Sequence, residues 1–270
     1  MPRAIWRGSI SFGLVTIPVS IFTAENRTER LSFHLLDKHD MAPIENERVN
    51  SETGKPVVWD DIVKGYQYEE GRWVTLTDDD FRAANVEATQ TIDILGAVCA
   101  EDVPVEYYDK PYYLEPSKAG KKAFALLREA LRTTGRVGVI KVVIRTRQRL
   151  GLLVPEGDAL VLELVRYPYE LRGTEELELP GSDLKALGVT DAELKMAGQL
   201  VKAMEKDWNP NDDAYADTYH DDLLALIKRK ASGGKIEKPP EVKEPEGAEV
   251  IDIMSLLKQS LEEKKVAAKA

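Results

Sequence analysis

Residues 137–165 read VGVIKVVIRTRQRLGLLVPEGDALVLELV, and this stretch decides the fold. Valine, isoleucine and leucine dominate it, and Pro155-Glu156-Gly157-Asp158 interrupts it with residues that favour turns. We therefore predict long paired strands, Val137–Arg149 and Gly151–Val154 before the turn and Ala159–Val165 after it.

Outside this stretch, strands are predicted mainly before it and helices mainly after it. Ser9–Phe22 is rich in isoleucine, valine and phenylalanine and is predicted to form strand, bend, strand, and Thr91–Val98 is predicted to form another strand. A helix is expected over about Ser117–Thr134, and a capping box of Thr190 and Glu193 begins a further one. Strands first and helices after indicate an all-β or α+β core with a helical extension, and we predict the α+β class.

The composition limits the class of protein. The chain has 270 residues, 43% of them hydrophobic and 31% charged, so it can build a core and is too apolar for disorder throughout. Cys99 is the only cysteine, which excludes an internal disulfide and a cysteine-built zinc site. No apolar run approaches the roughly 20 residues of a membrane helix, and the start of the chain lacks a signal-peptide pattern, so we expect a soluble intracellular protein. The net charge of −10, taken alone, argues against a nucleic-acid-binding protein.

Few residues suggest catalysis. The sequence has no G-x-G-x-x-G, Walker, H-E-x-x-H or G-x-S-x-G motif. His34, Asp37 and His39 could form a metal cluster of a hydrolase, but their spacing matches no standard site, and polar loop positions explain them better. We therefore predict that the protein is not an enzyme and has no metal or other cofactor.

Basic residues are concentrated between positions 110 and 150. This window holds eleven lysines and arginines against Glu115 and Glu129, a net charge of +9 that leaves −19 for the rest of the chain. If Val137–Arg149 is one continuous strand, its odd-numbered basic residues share one face: Lys141, Arg145, Arg147 and Arg149. Their stride of roughly 6.6 Å suits the regular phosphates of a nucleic-acid backbone, to which arginine donates paired hydrogen bonds. The alternative is a solvated charged face without a ligand.

The C-terminal residues are predicted to form a flexible tail. Residues 231–248 combine glycine, three prolines and mixed charge, which is typical of a linker. A short amphipathic helix follows, with an apolar stripe of Val250, Ile253, Met254, Leu257 and Leu261. Such a helix either binds a groove in a partner protein or packs on its own domain, and the sequence leaves both open.

Several long segments of the chain resemble the bacterial Ku proteins. They are RAIWRGSISFGLVTIPVSIF at the start, DIVKGYQYEEGRWVTLTDDDF, YYDKPYYLEPSKAGKKAFALLREAL and GDALVLELVRYP in the middle, and WNPNDDAYADTYHDDLLALIKRK towards residue 230. They follow one another in the same order as in that family and cover about residues 2–230, and the final VIDIMSLLKQSLE is similar as well.

The resemblance implies a fold and an activity. The fold would be a Ku-type β-barrel core over residues 1–230, with an extended bridge loop at about 37–61 and a helical arm at about 171–230, followed by the tail over 231–270. Two copies would form a ring that threads onto a double-stranded DNA end, protects it in non-homologous end joining, and recruits an ATP-dependent DNA ligase for the covalent chemistry. No catalytic residue is carried over, and a cytoplasmic, nucleoid-associated protein without a membrane partner is expected.

The resemblance also implies which residues meet DNA. The bridge would bring Lys38, Arg48 and Lys55 to the phosphates, and the segment from Lys118 to Arg149 would form barrel and ring wall. The predicted DNA-binding residues are therefore Lys38, Arg48, Lys55, Lys118, Lys121, Lys122, Arg128, Arg132, Lys141, Arg145, Arg147 and Arg149. The tail stripe is the predicted contact with the ligase. The alternative function is an acidic scaffold for protein–protein interactions that binds DNA only incidentally.

Overall fold

The computed structural model describes residues 3–26, 30–84, 90–233 and 253–267. The chain folds as two compact units, Met1–Gly173 and Thr174–Ala270, which we call the barrel unit and the helical unit. The strands of the described residues are β1 (Trp6–Phe12), β2 (Val15–Thr23), β3 (Lys64–Glu69), β4 (Arg72–Leu76), β5 (Thr91–Val98), β6 (Tyr108–Pro116), β7 (Val137–Ile144), β8 (Arg147–Glu156) and β9 (Ala159–Val165). The helices are α1 (Asp78–Ala84), α2 (Lys121–Thr134), α3 (Asp191–Ala203), α4 (Thr218–Ala231) and α5 (Ile253–Ala267). The predicted α+β class is confirmed.

Seven strands of the barrel unit close into a barrel in the order β1-β2-β6-β9-β8-β7-β5. Neighbouring strands are antiparallel except at the seam, where β5 pairs in parallel with β1 and Ile92 lies opposite Ile10. Inward-facing residues from all seven strands fill the interior, and its fully buried members include Ile10, Ile17, Ile21, Ile92, Ile140, Leu153, Leu160 and Leu162. The predicted β-barrel core is therefore confirmed.

A second apolar cluster lies on the outside of the barrel. Val137, Leu152 and Val165 are buried in this cluster. The residue next to each of them in its strand points to the opposite face of the sheet, towards the barrel interior. They pack with partly buried side chains that include Val98, Val103, Tyr107, Tyr108 and Leu150. Strands β7, β8 and β9 therefore bury much of both faces, and this is why residues 137–165 contain long apolar runs instead of strict alternation.

Helix α2 closes one end of the barrel. Strand β6 ends and β7 begins at this end, and the helix between them inserts Phe124, Leu127 and Leu131 into the core. The approach to the helix is fixed by a hydrogen bond from the backbone N–H of Ser117 to the carbonyl oxygen of Pro18 in β2 (2.9 Å). The outward face of α2 is thereby presented to solvent at one end of the barrel.

The strand predicted over Val137–Arg149 is wrong, because the chain reverses within it. Strand β7 ends at Ile144, Arg145 and Thr146 form a two-residue turn, and β8 runs back along β7. Arg145 has a φ of 61°, a left-handed conformation that is costly for arginine but matches the twist of a tight hairpin. The other predicted turn is confirmed at Gly157-Asp158, where Gly157 has a φ of 52°.

The segment between β2 and β5 lies outside the barrel sheet. Two isolated bridges, Leu36–Pro43 and Val49–Pro56, close two successive tight turns. Strands β3 and β4 then form a two-stranded sheet in which every residue except Leu76 is exposed. The excursion predicted for residues 37–61 therefore consists of exposed loops.

The helical unit has little buried surface of its own. Helix α3 begins at the predicted capping box, where the Glu193 carboxylate accepts a hydrogen bond from the Thr190 backbone N–H (2.8 Å). Helix α5 packs on α3, and Leu261 is the one residue of this unit that is buried among those described. Residues 234–248, most of the predicted linker, lie outside the described residues.

Candidate nucleic-acid interface

The predicted DNA-binding residues of the barrel lie mainly at its two opposite ends. Strand β7 runs for 8 residues from α2 to the Arg145-Thr146 turn, so these ends are roughly 25 Å apart. We call them the helix end and the turn end. The helix end carries Lys118, Lys121, Lys122, Arg128 and Arg132. The turn end carries Arg145, Arg147 and Arg149. The structure therefore does not bring the predicted residues into one row.

Lys141 does not share a face with the arginines of the turn end. Directly paired residues of antiparallel strands lie on the same face, and β8 pairs Arg149 with the core residue Val142. Lys141 pairs instead with Leu150, which belongs to the outer apolar cluster. The predicted common face is wrong because the chain reverses after Ile144.

Three lysines surround the start of α2 at the helix end. Lys118, Lys121 and Lys122 are exposed, and among the residues that the structure describes no acidic side chain lies within ion-pairing distance of them. The first turn of α2 contains no acidic residue, and Gly120 at its N-cap offers no side-chain acceptor to the backbone N–H groups. A Cβ at Gly120 would lie 3.1 Å from the carbonyl oxygen of Pro18, so a glycine fits there best. The positive end of a helix and three lysines free of ion pairs form a surface that attracts phosphate.

Two arginines at the helix end are engaged within the protein. Arg128 donates to the backbone oxygen (2.5 Å) and the carboxylate (3.2 Å) of Asp158, and only 17% of its side chain is exposed. Arg132 donates a hydrogen bond to Glu129, which is the main cause of the lowered pKa of that carboxyl group. Arg128 therefore ties α2 to the β8–β9 hairpin, and neither arginine offers unpaired charge to a ligand.

At the turn end, Arg147 is held by the residues that follow β9. Its Nη2 donates to the Tyr169 hydroxyl (3.3 Å) and to Glu170 Oε1 (2.5 Å), and both hydrogen bonds raise the pKa of Arg147. A hydrogen bond from the Tyr167 backbone N–H lowers the pKa of the Glu170 carboxyl, so both members of the ion pair are charged at neutral pH. Arg145 in the turn is exposed and makes no ion pair with any residue that the structure describes.

The loops outside the barrel sheet carry the remaining predicted contacts. Lys38 and Lys55 are exposed in the two tight turns. The Arg48 guanidinium lies over the Trp59 ring, 4.5 Å from its centroid. The lysines therefore present charge to solvent, whereas Arg48 also contributes to the local structure of the loop.

The apolar surface of these loops and of the β3–β4 hairpin was not predicted from the sequence. Large apolar side chains are exposed here, among them Phe33, Trp59, Tyr66 and Trp73. A signal was present in residues 64–73, KGYQYEEGRW, which are too aromatic for a solvated loop. A two-stranded sheet that exposes such residues needs a further surface to pack against.

The metal cluster of the hydrolase alternative does not form, because Asp37 is engaged within a turn. The Asp37 carboxylate accepts a hydrogen bond from the His39 backbone N–H (2.8 Å). Within the described ranges, no group of three histidine, cysteine, aspartate or glutamate residues could hold a metal ion.

In the same ranges, no helix is both long and apolar enough to cross a membrane.

The apolar stripe of the tail faces α3 instead of solvent. Met254 and Leu257 are half-buried and Leu261 is buried, whereas 54% of Ile253 is exposed. The first residue of the predicted stripe, Val250, lies outside the described residues. Of the two possibilities left open by the sequence, the structure has the helix packed on its own unit.

These features define a class of protein, a closed β-barrel whose predicted DNA-binding residues lie mainly at its ends and on exposed loops. The family model of the Ku70/Ku80 β-barrel domain matches residues 11–196. The chain belongs to the Ku family.

Curated relatives match over nearly the whole chain. The non-homologous end joining protein Ku of Cupriavidus necator is 47% identical over 267 residues, covering 97% of this chain and 78% of that protein. The proteins of the same name from Pseudomonas aeruginosa and Coxiella burnetii are 44% and 40% identical and cover 97% and 99% of this chain, and 88% and 97% of their own lengths. Among solved structures, the SPOC domain of human PHD-finger protein 3 has a TM-score of 0.31 at 11% identity, over 60% of this chain and 95% of that one.

Proposed function

We propose that the protein binds the ends of double-stranded DNA without sequence preference, as a ring-shaped homodimer, and recruits the DNA ligase of non-homologous end joining. Membership of the Ku family supports DNA-end binding in this pathway. The single structural observation that carries the proposal is the group of unpaired lysines at the start of α2, in a chain whose net charge is −10.

These lysines suit the backbone of DNA and not its bases. Lysine is a flexible point charge that neutralises phosphates without reading base edges. Helix α2, which carries two of them, is inserted in the barrel through its apolar face, so it is not free to enter a major groove as a recognition helix does. Affinity should therefore depend on counterion release and fall steeply with salt, whatever the sequence of the DNA.

The exposed apolar surface supports a homodimer. The β3–β4 sheet exposes both of its faces, including Tyr66 and Trp73, and such a sheet is not stable in water by itself. In the helical unit, large side chains such as Trp208 and Tyr219 are also exposed. In a twofold-symmetric homodimer each copy contributes the same apolar surface, so two copies of the chain would cover each other's exposed apolar residues.

Recruitment of the ligase is assigned to the tail. An amphipathic helix at the end of a linker is a common means of binding a groove in a partner. Ile253 and Leu256 of α5 are exposed and are the apolar residues that a ligase could reach without separating α5 from α3.

The test compares one DNA sequence in two topologies. Linear duplex and a covalently closed circle of equal length compete for the protein in a gel-shift assay, and light scattering gives the mass of the free protein. We expect complexes on the linear DNA only, and a mass twice the 30.2 kDa of one chain. Equal binding to linear and closed DNA would refute the ring, and equally weak binding to both would favour the acidic scaffold.

A further inference from the structure

Helix α5 turns most of its apolar stripe towards α3. Met254 and Leu257 are half-buried and Leu261 is buried, and their spacing of three and four residues places them on one side of the helix. Among the described elements, α3 is the one with which α5 makes its main contact. The side chains that the tail would offer to a partner protein are therefore covered by another part of the same unit.

The face of α3 under this stripe is also apolar, and the contact is shallow. Met196, Ala197 and Leu200 are half-buried at helical spacing, whereas Gln199 lies on the opposite side of α3 and is exposed. No residue of α3 is fully buried, and Leu261 is the one buried residue of α5 among those whose side chains are described. A contact with so little buried apolar surface can open locally while the rest of the chain stays folded.

The uncovered part of α5 is too small to hold a partner by itself. A helix that binds a groove inserts apolar residues spaced by three or four positions over about two turns. Met254, Leu257 and Leu261 have this spacing, but α3 covers them. Ile253 and Leu256 are exposed and span a single turn. Stable docking of a partner therefore needs the same residues that pack on α3.

We propose that α3 and the ligase compete for the same apolar stripe of α5, so that the tail docks the ligase only after it separates from α3. This inference rests on the proposed recruitment of the ligase by the tail and adds a closed state in which the docking residues are hidden. The composition of residues 231–248 suits a tether, which would hold α5 near α3 at an effective concentration of about millimolar.

Competition predicts an effect of opposite sign to that of a supporting contact. The ligase binds only the fraction of chains in which α5 is released, so its apparent affinity is the intrinsic affinity of the stripe multiplied by that fraction. A change on α3 that weakens the contact leaves the stripe itself intact and raises the released fraction. The altered chain should therefore bind the ligase more tightly, although an apolar contact has been removed from the protein.

The first measurement tests whether α3 holds α5 in the full-length protein. Ala197→Glu puts a charge into the apolar contact, and the matched control Gln199→Glu adds the same charge to the exposed side of the same helix. A helix of 15 residues is only marginally stable in water by itself, so release of α5 appears as faster hydrogen exchange of its amides. We expect exchange at least about tenfold faster in Ala197→Glu and unchanged in the control, with α4 unaffected in both.

The second measurement is the affinity for the purified ATP-dependent ligase of the end-joining pathway from the same organism, by biolayer interferometry without DNA. Ala197→Glu should bind the ligase at least about threefold more tightly than the unaltered chain, and Gln199→Glu should match the unaltered chain. Leu261→Glu should also release α5 but lose ligase binding, because it damages the stripe that both partners use.

Two results would overturn the competition. One is slow exchange of α5 that persists in Ala197→Glu, since α3 would then not hold the tail. The other is faster exchange in Ala197→Glu without tighter binding of the ligase, since the stripe would then be released without effect. If the ligase binds neither the unaltered chain nor Ala197→Glu, the proposed recruitment by the tail is itself refuted.

Discussion

Replacing the three lysines of the helix end with glutamine should weaken DNA binding and stabilise the fold at the same time. The variant is Lys118→Gln, Lys121→Gln and Lys122→Gln in one chain. Each phosphate contact contributes about 0.9 to the slope of log K against log salt concentration, so three contacts contribute about 2.7. Counterion release contributes nothing to the association constant at about 1 M salt. At about 0.15 M, a slope smaller by about 2.7 therefore corresponds to a loss of roughly a hundredfold in that constant.

The opposite sign for stability follows from the position of the lysines. Lys121 and Lys122 are the first residues of α2, where the helix dipole favours negative charge and opposes positive charge. Their side chains make no ion pair with any described residue, so glutamine breaks no salt bridge. The melting temperature should therefore rise by about 1–4 °C, because the repulsion between the lysines and the dipole is removed.

The assay is fluorescence anisotropy with a labelled blunt duplex, closed by a hairpin at one end, titrated over a series of salt concentrations. A circular-dichroism melt of the same samples gives the stability. The matched control, Lys185→Gln with Lys195→Gln and Lys258→Gln, removes equal charge from exposed lysines of the helical unit. The reasoning is refuted if the triple variant keeps the salt slope of the unaltered protein, or if the control lowers the slope equally.

Three further predictions test the seam of the barrel, its turn end and the tail. A Cβ at Gly8 would collide with the carbonyl oxygen of Gln90, so Gly8→Ala should lower the free energy of unfolding, measured by urea titration, by about 1–3 kcal/mol. Gly96 has open space around it, so Gly96→Ala should change this free energy by less than about 1 kcal/mol. The pKa of Glu170 is lowered, so the charged carboxylate stabilises the fold at pH values above the ordinary carboxyl range, and this stabilisation is lost as the pH falls through the lowered pKa. Glu170→Gln should therefore have a lower melting temperature than the unaltered protein at pH 7, and the difference should vanish at acid pH. Deletion of residues 249–270 should leave DNA binding within about twofold and remove stimulation of the ligase, and full stimulation without the tail would exclude it as the docking element.

The barrel could be predicted from sequence because its strands have strong local signals. The β8–β9 hairpin was predicted correctly, since Gly157 supplies the positive φ that a two-residue turn requires. The β7–β8 hairpin was missed, because Arg145-Thr146 contains neither glycine nor asparagine and reads as a continuation of the strand. A chain reversal changes which residues share a face, and Lys141 was therefore assigned to the wrong group.

The interface could be predicted less well, because a sequence does not reveal which charges are already paired. Arg128 and Arg132 belong to the predicted set, yet both are engaged by carboxylates within the barrel unit. The partner of Arg128 across the fold, Asp158, lies 30 residues away in sequence, so no spacing rule connects the two. The stacked pair of tyrosines at the turn end was missed for a related reason, since the hydrogen bond to the Tyr169 hydroxyl comes from Arg147 in β8.

The acidic pI of 5.0 is consistent with DNA binding because a phosphate responds to local charge. At physiological salt, charges on a surface are largely screened beyond about 8 Å, whereas the helix end and the turn end are roughly 25 Å apart. Each end is therefore a separate electrostatic site, and the acidic surface elsewhere has little effect on either. What decides their strength is the number of cations without a carboxylate partner. The helix end has three such lysines beside a helix N-terminus, and the turn end has an aromatic ring beside its arginines. At the turn end Glu170 pairs with Arg147, so the helix end offers more unpaired charge and should contribute more to the salt dependence of DNA binding.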